Sequence, residues 1–229
     1  MFRALALFLA LTFAAGHAAA QTADAPPPAA TSEQQGVEAA VFEVYQALFF
    51  DTGIFDAIAE QMYPAYRQAA LNSDYYRRAR GAQRDALMQL IERTPDILRE
   101  EVLTESRAMA ERVAPRAGAL MSEADIRELA TFLRAPEWRP FMQRMALSGG
   151  GDKGAGPTAE ETAQMDALMA TDAGRRLERS TPLLDLLAEE MNAASPRIEA
   201  RLTRRIAGEI CTILTAQCPQ DLRERVGEL

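Results

Sequence analysis

Hydroxyl–proline pairs punctuate this chain. Thr94-Pro95, Thr181-Pro182 and Ser195-Pro196 each place a helix-capping side chain before a proline, which suits the first helical position because its missing N–H costs nothing there. Ser122-x-x-Asp125 and Thr158-x-x-Glu161 add two starts of the capping-box kind. No run of β-branched residues alternates at period two, so nothing predicts a sheet. Apolar residues recur instead at helical spacing. Tyr76, Ala79, Gln83, Leu87 and Leu90 form one stripe, with Gln83 as its polar flaw, and Leu98, Val102, Met109 and Val113 form a second. Ile198, Leu202, Ile206, Ile210 and Ile213 or Leu214 form the cleanest. The fold class is therefore all-α, an irregular bundle of about eight to ten short helices. Pro64 falls inside the pattern from Ile54 to Leu71 and is expected to kink or break that helix. Trp138, between Pro136 and Pro140, is expected at a short or irregular helix start.

The N-terminal end reads as an address. Arg3 precedes an apolar run, residues 4–15, broken only by Thr12, and Ala18 and Ala20 stand in the small-residue positions before Gln21. That order is the grammar of a secretory signal peptide spanning 1–20. The run is too short to cross a bilayer, and no second stretch of spanning length follows, so no transmembrane span is expected in the mature chain. The expected location is periplasmic or secreted. Cleavage would remove His17, the only histidine, and with Arg3 would take the formal charge from −8 to −9. A chain without histidine has no Ser-His-Asp triad and no histidine metal site. Its acidity also argues against nucleic acid as a partner.

Residues 21–36, with Pro26-Pro27-Pro28, read as a disordered linker. Residues 37–147 form the N-terminal part of the helical domain, 148–157 a Gly-rich loop, and 158–229 the helical C-terminal part. Lys153 in that loop is followed by Gly154 and no strand precedes it, so the loop lacks the pattern of a phosphate-binding loop. Segments 122–142 and 158–178 align at an offset of 36 as a helical-hairpin internal repeat. They match at Leu129/Met165, Phe132/Leu168, Leu133/Met169 and Phe141/Leu177, at the caps Ser122/Thr158, and at Arg139/Arg175.

These residues carry a family resemblance. Leu120-Met121-Ser122-Glu123-Ala124-Asp125-Ile126 leading to Phe132-Leu133-Arg134-Ala135-Pro136-Glu137-Trp138-Arg139 is similar to the signature of the exported bacterial helical domain DUF2059. The second copy, Thr171-Asp172-Ala173-Gly174-Arg175, keeps the glycine and the basic residue. The first copy has Trp138 in the glycine's place and Ala135 for serine, and the second lacks the proline. The resemblance covers roughly residues 95–180. It implies an α-helical, exported domain of non-enzymatic character, and it supplies no catalytic residues.

Few features suggest chemistry. Cys211 and Cys218 are the only cysteines, and an even pair in an exported chain reads as a disulfide. Seven residues of unbroken helix rise about 10.5 Å, too far for a bridge. The helix must therefore end near Leu214 or Thr215, pinning the tail 219–229 to it. Arg197, Arg201, Arg204 and Arg205 share one helix face, which could fork onto phosphates or carboxylates of an envelope ligand or pair with acids such as Asp185, Glu189 and Glu190. Tyr75-Tyr76-Arg77-Arg78-x-Arg80, with Arg84, is a second basic cluster. Phe42, Tyr45 and Phe49 form an aromatic stripe that reads as core or as an apolar groove. The adjacent acids Glu100-Glu101, Glu160-Glu161 and Glu189-Glu190 point apart on a helix and make no carboxylate dyad.

No catalytic, cofactor-binding or metal residues are assigned. The leading expectation is a non-enzymatic envelope module that binds a protein or an amphiphilic ligand. A small-amphiphile or lipid carrier and a carboxylate-based hydrolase are the alternatives. A carrier requires an enclosed apolar cavity near Phe42–Tyr76, and a hydrolase requires acids converging in a cleft.

Overall fold

A computed structural model describes residues 32–136 and 170–227, with positions 160, 163, 166 and 167 between them. The signal peptide, residues 21–31 of the linker, Trp138, the Gly-rich loop and the start of the second repeat copy at Thr158 lie outside the described residues.

Eight helices and no strand appear among the described residues. They are α1 (Ser32–Gln46), α2 (Ile54–Leu71), α3 (Asp74–Arg78), α4 (Ala82–Leu120), α5 (Glu123–Leu133), α6 (Asp172–Arg179), α7 (Thr181–Leu214) and α8 (Gln220–Gly227). A π-helical turn, Ala47–Asp51, leads out of α1, and a 3-10 turn, Thr215–Gln217, follows α7. The all-α bundle is as the periodicity requires. The first helix begins inside the stretch read as linker, at Ser32.

Helix length departs from expectation. α4 has 39 residues and α7 has 34, so the bundle is not built only of short helices. Pro95 and Pro115 lie inside α4, Pro196 lies inside α7, and α2 runs through Pro64. Thr94 and Ser195 are therefore not helix starts. A proline removes one backbone hydrogen bond and costs roughly 3 kcal/mol in a helix interior. At Pro95 and Pro196 packing outweighs it, because the buried stripe continues through both rings: Leu90, Ile91, Ile97 and Leu98 on α4, and Leu187, Met191, Ala194 and Ile198 on α7. Thr94 takes another role. Its Oγ1 donates to the Leu90 carbonyl at 3.0 Å, so the Tyr66 hydroxyl, 3.0 Å away, is the donor in their contact.

Other starts follow the local signals. Ser122 Oγ accepts from the Asp125 N–H at 3.2 Å and caps α5. α7 begins at Thr181, one residue beyond its cap residue Ser180, with Pro182 in the first turn. The stripe from Tyr76 to Leu90 is split between α3 and α4 by a turn at Gly81, whose φ of 50° suits a residue without Cβ. Gln83, the flaw in that stripe, extends its amide toward the Ile213 carbonyl at 3.5 Å.

The two long helices pack against each other, α1 packs on both α4 and α5, and α8 folds back onto α7. One core runs through them, from Val41, Val44 and Tyr45 through Met109 and Val113 to Leu183, Ile198 and Leu202. No helix among the described residues is long and apolar enough to cross a membrane.

Candidate functional site

The arginine face of α7 meets acids from α4. Arg197 Nε and Arg112 Nη2 donate to Glu105 Oε1 at 3.0 and 2.9 Å, and Arg201 Nη1 donates to Glu105 Oε2 at 2.5 Å. Arg201 Nε continues to Glu101 at 3.1 Å. Arg205 forks across Glu101 at 3.1 Å and Glu100 at 2.6 Å. Arg112 Nε and Arg197 Nη2 share Glu190 Oε1, at 2.7 and 3.3 Å, and Arg116 reaches Glu189 at 3.2 Å. As the arginines advance by fours along α7, from Arg197 through Arg201 to Arg205, their partners move back along α4 from Glu105 to Glu101 and Glu100, so the ladder sets the register of an antiparallel pair. The acids that the sequence suggested were local ones. Glu190 takes part, but Glu100, Glu101 and Glu105 lie on another helix, about a hundred residues away. Arg204 stands outside the ladder.

Glu105 is the centre, with 2% of its side chain exposed. Burial alone would raise its pKa. The hydrogen bonds from Arg201, Arg112 and Arg197 outweigh that and hold the carboxyl below the usual glutamate range. Burial likewise opposes the charge on Arg201, and its hydrogen bonds to Glu105 and Glu101 more than reverse the effect. Arg197, Arg201 and Arg205 thus spend their donors inside the protein.

The aromatic stripe divides. Tyr45 is fully buried, stacked on Phe49 with ring centroids 6.4 Å apart. Burial, then the charge of Glu190, pushes its phenol pKa up, and its hydroxyl finds no hydrogen-bond partner among the described residues. Phe42 is half-buried under Arg107, 5.4 Å above its ring, beside a surface hollow of about 250 Å³. The three rings do not line one groove, because the middle one belongs to the core. Farther along, Arg99 lies 5.2 Å from the rings of both Phe50 and Phe55 and pairs with Asp56.

A roomier feature lies where α3 faces the tail. A cleft of about 1080 Å³ opens between α3 and α8, with α7 at its base. α3 contributes Ser73, Asp74, Tyr75 and Arg78, α7 contributes Glu199, and the tail contributes Gln217, Asp221 and Arg225. Ser73 Oγ caps α3 by accepting from the Tyr76 N–H at 3.4 Å and donates to the Ala70 carbonyl at 2.6 Å. The Arg77 hydrogen bond, then the charges of Arg77 and Arg78, lower the Asp74 pKa and keep it ionised. Burial raises the Tyr75 pKa and keeps its phenol protonated. Neither is poised to exchange a proton near neutral pH. The Cys211–Cys218 disulfide, with Cα atoms 4.8 Å apart, closes the turn that leads into the far wall. α7 stops at Leu214, and Thr215 turns the chain back with a φ of 50°, as the cysteine spacing demands. The sequence did not single out Glu199, Gln217 or Asp221. The cysteine pair foretold that the tail would be pinned to α7, and the structure adds that it faces α3 there.

Among the described residues no group of three or more His, Cys, Asp or Glu is arranged to hold a metal. Comparison with protein-family models, curated proteins and solved structures finds no match to this chain.

Proposed function

We propose that this chain is an exported protein of the bacterial envelope that binds a partner polypeptide in the cleft between α3 and α8, without catalysis. The cleft carries the reading. Its lining sets cations, anions, an amide and the Ser73 hydroxyl beside apolar Leu214, Pro219 and Leu222 and a partly buried tyrosine, a polar and apolar mixture that suits an extended polypeptide better than an acyl chain. Arg197, Arg201 and Arg205 do not compete as a ligand face, since Glu100, Glu101, Glu105 and Glu190 occupy them. The leader-like N-terminus and the DUF2059-like signature support export, and the disulfide agrees with an oxidising compartment.

The test is site-specific photo-crosslinking in cells, with a benzophenone amino acid replacing exposed Arg78, compared with exposed Thr131 on α5. The expected result is a discrete protein adduct from position 78 that Asp221→Arg weakens, with none from position 131. Equal adducts from both positions, or none, overturn the reading. Intact mass of the recovered protein is expected to show loss of residues 1–20. A small amphiphile released on denaturation would turn the assignment to a carrier.

A further inference from the structure

We infer that the Cys211–Cys218 disulfide assembles the cleft, so the chain becomes competent to bind only after its two thiols are oxidised. The inference rests on the cleft being the binding site proposed above.

α8 is eight residues long, below the length at which a helix holds itself in water. Its one buried residue is Leu222, with Val226 partly packed against the core. Two of its polar ties do little to anchor it: Arg223 Nη2 donates to the Ala216 carbonyl at 2.9 Å at an exposed site, and Gln220 bonds within the helix, to Glu224. The approach to α8 is itself unfavourable, because Thr215 is β-branched and holds a positive φ. The disulfide closes this reversal, with Cys218 buried at its end, immediately before the Pro219 and Asp221 that line the cleft. The α3 wall is held differently, through the Ser73 cap and buried Tyr76 and Ala79. Reduction therefore removes one wall and leaves the other.

The chemistry balances as thiol–disulfide exchange. Cys211 and Cys218 form one S–S bond and give up two protons and two electrons to an external protein disulfide, which becomes a dithiol. In the reducing interior the precursor would lack the α8 wall, and the cleft would be complete only where such an oxidant acts.

Two measurements on the same protein separate this inference from the binding reading. Amide hydrogen exchange is compared between the oxidised protein and a Cys211→Ser/Cys218→Ser variant, and crosslinking from position 78 is run in both backgrounds. In the variant, amides of residues 220–227 are expected to exchange at least tenfold faster, while those of α4 and of α7 up to Ile206 keep their protection. The position-78 adduct is expected to fall at least tenfold. Protected α4 and α7 amides show that the variant has folded. Equal protection of α8 in both forms overturns the inference. A loosened α8 with undiminished adduct also overturns it. A loosened α8 with no adduct in either form overturns the binding reading alone.

Discussion

Arg201 meets Glu105 end to end across the interface of α4 and α7, Nη1 to Oε2 at 2.5 Å, while its Nε holds Glu101 one turn away. One guanidinium thus fixes two successive turns of the facing helix. The geometry suits arginine and would defeat lysine, which has no fork to divide between two carboxylates.

Removing the buried acid should cost more than removing any one base. Glu105→Gln removes the charge that Arg112, Arg197 and Arg201 share and puts an amide NH2 where one of its acceptor oxygens stood. We expect a loss of about 2–3 kcal/mol, below the figure for fully buried pairs because the arginines are about a third exposed. Urea unfolding at neutral pH measures it.

Acid should act through the same residue. The folded Glu105 pKa lies below its unfolded value, so between the two the unfolded chain binds the extra proton. Its stabilisation is complete above the unfolded glutamate pKa and disappears as pH falls through the folded one. Stability measured from neutral pH into that acid window should fall more steeply in the wild type than in Glu105→Gln.

Tyr45→Phe should reverse the usual sign of a core substitution. The ring, its stacking on Phe49 and its packing remain, and only a buried hydroxyl with no partner among the described residues is deleted. We expect unchanged stability or a gain of about 1 kcal/mol. Tyr45→Ala should instead lose about 3–5 kcal/mol through the cavity it leaves. Denaturant midpoints of the two variants give the contrast, and a large loss in Tyr45→Phe would show that the hydroxyl is bonded.

Thr215→Gly should stabilise the oxidised protein by about 1 kcal/mol, because glycine adopts the positive φ without strain and the threonine side chain is exposed. Thermal unfolding measures it. Reducing the disulfide should remove about 2–3 kcal/mol, the chain-entropy value for so short a loop.

What the sequence determined by itself was local. Helical periodicity, the Ser122 cap and the point at which α7 must stop for Cys211 to meet Cys218 each depend on residues within a few positions of one another. Their physics needs no knowledge of the rest of the chain. Tertiary structure decided the remainder. Thr94-Pro95 and Ser195-Pro196 look like helix starts, but α4 and α7 run through them, because a continuous buried stripe outweighs one lost backbone bond. Arg197, Arg201 and Arg205 look like a ligand-binding face, but acids about a hundred residues away complete them. Tyr45 was legible as aromatic packing, yet its burial beside the charged ladder was not. The cleft combines α3, Glu199 and α8, and only folding brings those three together, because it depends on which helices lie side by side.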